Sequence, residues 1–234
     1  MASAVRVRGV GGFGERTARL LAAQLPDAET RGEADLLRGL DGSPGGVVVV
    51  AAWRPLPGLT ELVDEFAYRT STSWLPVVME NSVVRVGPLV RPPQGPCFRC
   101  YRERRRQHDR QQALTAALHT AYDEHPDRGP GGHLPHHARL AAAVAAGVLQ
   151  RGRAGEVTVI RLGAWGVDTY HVVPWHDCPR CGDFGVGHDP GSLRMALAEE
   201  ERGGRRARSL PTAEGGAVPA AAAPIARQAG EVRP

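Results

Sequence analysis

All four cysteines of this 234-residue chain fall into two units of the same spacing, Cys97-Phe98-Arg99-Cys100 and Cys178-Pro179-Arg180-Cys181. Two Cys-x-x-Cys knuckles supply four thiolates, the ligand number of a closed structural zinc site, and each is short enough to chelate from one turn. Residues 101–177 separate them. That gap is far longer than in a single small finger, so a metal taking all four ligands would tie two remote segments together. Disulfide pairing needs an oxidising compartment, and the start MASAVRVRGV has no apolar core of an export signal. A thioredoxin-like redox pair would use one knuckle and leave the other idle. The expectation is a structural zinc ion on Cys97, Cys100, Cys178 and Cys181, in a soluble cytoplasmic protein with no membrane partner.

Composition narrows the chemistry further. The net charge is +4, and every one of the 29 basic residues is arginine. With no lysine, the chain cannot use a Walker-type phosphate lysine, a Schiff-base lysine or a lysine general base. With all four cysteines assigned to metal, no thiol is left for thioester chemistry.

The elements that must position the knuckles follow from patterning. Val5 to Val10 alternates like a short strand and runs into Gly9-Val10-Gly11-Gly12-Phe13-Gly14, after which Glu15 to Leu25 has helical spacing up to Pro26. Strand, Gly-x-Gly-x-x-Gly and helix form the dinucleotide-binding turn, in which Gly9, Gly11 and Gly14 allow a tight bend and close backbone approach to a phosphate. The same glycines also serve simple strand–helix packing, so the turn speaks to fold more than to a bound nucleotide. Asp27 to Gly45 leaves room for a short second strand and a short helix around Glu33 to Leu40. Val47 to Ala52 is an unbroken apolar run, as in a parallel strand covered on both faces. Leu59 to Tyr68 reads as an amphipathic helix with Leu59, Leu62, Val63 and Phe66 inward and Glu61, Asp64 and Glu65 outward.

Leu75 to Met79 is a second buried strand, and Asn81-Ser82 turns into the extended segment Val83 to Val90 that leads to the first knuckle. Beyond Cys100 come Arg102, Arg104, Arg105, Arg106 and Arg110, read as a solvated helix face in preference to an anion site. Gln111 to Tyr122 is helical, Asp123 to Pro135 a polar loop, and His136 to Leu149 a buried apolar helix. His133 and His137 have the spacing of a metal pair, but Pro135 lies between them and no acidic residue is near, which makes them loop histidines. Val157 to Leu162 and Val167 to Val173 pair as a hairpin around Gly163 to Gly166 and deliver the chain to the second knuckle. Residues 1–187 thus read as one domain and 188–234 as a disordered tail, since its Ala, Pro, Gly and Arg bury too little surface to offset ordering.

Taken together, the glycine turn, the valine-rich strand, GPLVRPPQGPCFRC and WHDCPRCG resemble the ThiF/MoeB-like fold of ubiquitin-activating-type enzymes, over roughly Val5 to Gly182. More narrowly, VGPLVRPPQGPCFRCYRERR is similar to the ThiF-like partner proteins of YcaO cyclodehydratases. Those serve thiazole/oxazole-modified microcin and thiopeptide biosynthesis. The resemblance implies an α/β, Rossmann-like domain carrying the zinc clasp. Adenylating members hold ribose with an acid after the second strand, carry an Asn-Leu-x-Arg-Gln stretch, and use a lysine and a magnesium-binding aspartate. Here the lysine and that stretch are absent, Ala51-Ala52-Trp53-Arg54 stands where the aspartate belongs, and Glu29 is the nearest ribose acid.

Phosphoryl chemistry depends on positioning and charge stabilisation, so these losses imply a degenerate, non-catalytic nucleotide site. ATP is then used by the YcaO component and not by this chain. Leader recognition in that group resides in a winged-helix-like module ahead of the Rossmann-like part. Because the first strand begins by Val5, contact with the precursor peptide is expected to be indirect, and docking to the YcaO subunit is the role carried over. The resembling fold often forms homodimers. Other readings remain, an NAD- or SAM-dependent enzyme among them on the glycine turn alone, though no proton-transfer constellation accompanies it; two are more specific. One is an active adenylyltransferase with Arg16 or Arg54 replacing the lost groups. The other is a zinc-bearing nucleic-acid binder, against which the interleaved acids and scarce aromatics count.

Overall fold

The computed structural model describes residues 5–26, 28–31, 46–163, 166–176 and 178–181. The expected helix at Glu33 to Leu40, the loop residues Ala164 and Trp165, and the tail all lie outside the described residues.

Seven strands form one mixed sheet in the order β2-β1-β3-β4-β5-β6-β7. Strands β1 (Val5–Val10), β2 (Glu29–Arg31), β3 (Val47–Ala52) and β4 (Ser73–Glu80) run parallel. β5 (Val83–Val86), β6 (Glu156–Arg161) and β7 (Gly166–His171) continue the sheet antiparallel. The parallel half needs crossovers, and α1 (Gly11–Ala22) and α2 (Pro57–Thr70) supply two of them on opposite faces. The antiparallel half begins with a tight turn at Asn81, whose φ of 50° is left-handed as such hairpins require.

Each face of the sheet has its own core. On one face Val7, Val49, Leu75 and Val77 pack under α1 and α5 (Pro135–Arg151), which presents Ala138, Ala141, Ala142 and Ala145 and so can lie close. On the other, Val48, Val50 and Trp74 meet Val63 and Ala67 of α2, Phe98 and Tyr101 of α3 (Phe98–His108), and the four cysteines. A seventeen-residue α5 ends where Gly152 takes a left-handed φ of 62°, the usual helix stop. Between α3 and α5 lies α4 (Gln112–Glu124), of which only Tyr122 is buried.

Several elements differ from the patterned expectation, each for a physical reason. Helix α1 starts at Gly11, four residues before Glu15, because the glycines themselves form its first turn. In α2 the inward face is Val63, Asp64 and Ala67, whereas Leu62 is 56% exposed. Asp64 can be buried because the Trp74 indole N–H and Arg180 both bond to it. Arg8, which alternation would put in solvent, is buried because β1 is covered on both faces. His137 belongs to the first turn of α5, not to a loop, and its Nδ1 accepts the Leu134 N–H at 3.3 Å.

The basic helix is tied down more than a solvated face would be. Glu80, at the end of β4, accepts from Arg85 at 2.7 Å and from Arg105 at 2.6 Å. Burial by itself would raise the Glu80 carboxyl, but the two guanidiniums outweigh it and hold it down at about 2. A carboxylate depressed this way contributes stability above its unfolded value and loses it as the pH falls through the folded one. Glu80→Gln should therefore cost roughly 2–3 kcal/mol at neutral pH, with the gap from wild type closing between about pH 5 and pH 2. Urea unfolding of both proteins across that range checks it; a constant gap would show that the Glu80 carboxyl titrates alike in the folded and unfolded states.

Candidate metal centre

The fold brings the two knuckles together. The first opens α3, with Cys97 as the N-cap residue in extended backbone and the Cys100 N–H bonded to the Cys97 carbonyl at 3.1 Å. The second follows β7, where the Cys178 N–H bonds to the Trp175 carbonyl at 3.0 Å and so closes a turn. All four sulfurs are buried and lie within 4.8 Å of one another. Cys97 to Cys178 is 3.5 Å, Cys97 to Cys181 3.8 Å, Cys97 to Cys100 3.9 Å and Cys100 to Cys181 3.2 Å. Four sulfurs at about 2.3 Å from a shared tetrahedral zinc would lie about 3.8 Å apart. No pair is disulfide-bonded.

The donor set fits a soft divalent cation chemically as well as geometrically. Hydrogen bonding within the cluster pushes the Cys181 thiol down and the Cys100 thiol up. The sulfurs alone thus favour one thiolate held by neighbouring thiols. A second and third negative charge in this volume needs a positive centre. The Trp175 backbone N–H also donates to Cys100 Sγ at 3.3 Å and so helps to orient the sulfur.

The residues between the ligands seat the knuckles on the domain. Phe98 packs its ring 4.9 Å from that of Trp74 and 5.5 Å from that of Tyr101. Arg180 bonds to Asp64 at 2.5 Å and to Glu65, lies over the Tyr68 ring, and accepts the Tyr68 hydroxyl on its carbonyl. Burial raises the Asp64 carboxyl to about 6, outweighing the pull of Arg180. These x-position roles were invisible in the spacing of the cysteines.

The glycine turn is formed, and Trp53 packs against it at Gly11. Gly11 has a φ of 67°, and a Cβ there would overlap the indole of Trp53. Gly9 and Gly14 allow close packing, since a Cβ on either would run into the backbone of Glu15 or Ala51. Trp53 therefore fills the side of the turn that faces β3, and His133 stands edge-on to Phe13 at 5.6 Å. Arg54 is buried and engaged: Nη2 donates to the carbonyls of Tyr122 at 3.0 Å and Pro126 at 2.8 Å, and the guanidinium lies over the Tyr122 ring. Arg16 is half-buried on the first turns of α1. Glu29 pairs in register with Arg6, four residues of strand or about 13 Å from the turn, so it does not reach a ribose there.

No protein-family model matches the chain, and no curated protein does. Solved structures do. A heterocyclase in complex with substrate and cofactor superposes at a TM-score of 0.58 with 18% identity, over 79% of this chain and 26% of that one. The heterocyclase TruD gives 0.55 and 16%, over 77% and 28%. MccB from E. coli, solved with MccA, gives 0.53 and 14%, over 77% and 66%. This chain shares the fold of these proteins. It spans about a quarter of the length of the heterocyclases and about two thirds of MccB. Among the described residues no helix is long and apolar enough to cross a membrane.

Protein purified without chelator should carry one zinc per chain by elemental analysis, and cobalt should substitute with the absorption of a tetrahedral tetrathiolate. Cys181→Ala should release the metal and lower the melting temperature by more than about 10 °C, since structural zinc contributes on the scale of a whole domain's stability. A metal-free variant that melts like wild type would contradict the site.

Proposed function

We propose that this chain is a non-catalytic subunit of a peptide-modifying complex. In it, a ThiF/MoeB-type domain held by a structural zinc on Cys97, Cys100, Cys178 and Cys181 docks to, and activates, a YcaO-type cyclodehydratase that forms azolines. The observation that carries this reading is the state of the β1–α1 turn in a fold shared with heterocyclases. Where an adenylating enzyme needs open glycines and cationic groups on phosphate, Trp53 lies on Gly11 and Arg54 is spent on protein carbonyls. Gly9, Gly11 and Gly14 are on this reading a vestigial nucleotide turn, kept for packing. ATP would be consumed by the partner.

The two-thirds coverage of MccB, also solved with ATP, favours one alternative: an adenylyltransferase acting on a peptide or carrier C-terminus with Arg16 as the cationic group. Two assays separate the readings. Co-purification with the cognate YcaO protein and a rise of at least about tenfold in its cyclisation rate are expected, with no ATP–pyrophosphate exchange by this chain alone. Absence of a complex together with measurable exchange would replace the first reading by the second.

A further inference from the structure

We propose that the cleft between α3, α4 and the sheet is a docking groove for an acidic polypeptide segment. The occupant's class goes beyond the function proposed above and rests on it only for the expectation that the chain works on or beside peptides. The cleft has a volume of about 1520 Å³, above the roughly 300–1,000 Å³ of sites for single small ligands. It is lined by Glu80 at the end of β4, Arg85 of β5 and Tyr101 of α3, with Tyr170 and His171 of β7 and the following Val172 and Val173.

Charge selects the occupant. Arg85, Arg102, Arg104, Arg105, Arg106 and Arg110 line the cleft against Glu80, Glu103 and Asp109. Glu80 already neutralises one of the two guanidiniums it holds, Glu103 pairs with Arg106, and Arg102 reaches out to Glu61. Arg104 spends its donors on the carbonyls of Val173 and Pro174 and on Gln107, and makes no ion pair among the described residues. Arg110 is exposed and makes no ion pair among the described residues. A surplus of positive charge therefore faces the groove, and His119 adds none at neutral pH because burial lowers its basicity.

Shape and polarity favour polypeptide over nucleic acid. Phe98, Tyr101 and Tyr122 are buried, so few ring faces are open for bases. What is open is aliphatic or tyrosyl: Leu118 is 38% exposed, Val173 49% and Tyr170 38%. Carboxylates spaced between aliphatic side chains match that surface. Helix α4, with only Tyr122 buried, forms one wall.

The test uses the full chain alone, with no cyclodehydratase present, so its outcome is independent of whether the complex proposed above exists. Fluorescence anisotropy would follow a short labelled peptide of alternating glutamate and leucine, its glutamine and lysine counterparts, and an oligothymidylate. The glutamate peptide should bind at least about tenfold more tightly than the other three, and more weakly as salt rises. The exposed double change Arg106→Glu with Arg110→Glu should abolish that preference while leaving the melting temperature unchanged. Leu118→Asp, also exposed, should weaken binding of the glutamate peptide independently. Equal binding of the glutamine peptide, tighter binding of the oligonucleotide, or an unchanged affinity in the charge-reversed variant would each overturn the proposal.

Discussion

Four buried sulfurs within 4.8 Å of one another cannot all ionise unaided, and the arrangement of this domain depends on how that constraint is met. With a cation at the centre, the cluster would become a covalent-strength joint between the start of α3 and the end of β7. Along the chain the two segments are separated by the long excursion through α4, α5 and the β6–β7 hairpin, and Arg104 of α3 also bridges them through the carbonyls of Val173 and Pro174. The second core, around Trp74, Phe98 and Tyr101, closes over this joint, so its packing and the metal site stand or fall together.

A second feature is how the chain uses arginine in place of lysine. Arg54, Arg85, Arg104, Arg105 and Arg180 each hold two or more partners that a single ammonium could not reach at once. Arg180 fastens the second knuckle to α2, Arg105 fastens α3 to β4, and Arg54 fastens the end of β3 to α4. The resulting charge surplus on α3 is a by-product of that bracing and also what makes the cleft beside it attractive to anions.

Much of this was legible in the sequence. The parallel strands Val47 to Ala52 and Leu75 to Met79 were plain because a strand covered on both faces must be apolar throughout. The knuckles were plain because ligand spacing is local. What escaped was non-local. Nothing near Asp64 announces that Arg180, far along the chain, would make its burial affordable, so the helix face was read one residue out of place at Leu62. Likewise, the Gly-x-Gly-x-x-Gly pattern showed a turn but not that Trp53 would come to lie on it. A fingerprint records the backbone path, and the occupant of the space above it is set by another strand.

The most direct test of the clasp is hydrogen exchange of the full chain with metal bound and after chelation. The account predicts that removing the metal speeds exchange in α3 and in residues 172–181 by more than about tenfold while β1 and β3 keep their protection. Equal protection of α3 with and without metal would contradict it, and would mean that the sulfurs meet only because the surrounding core places them there.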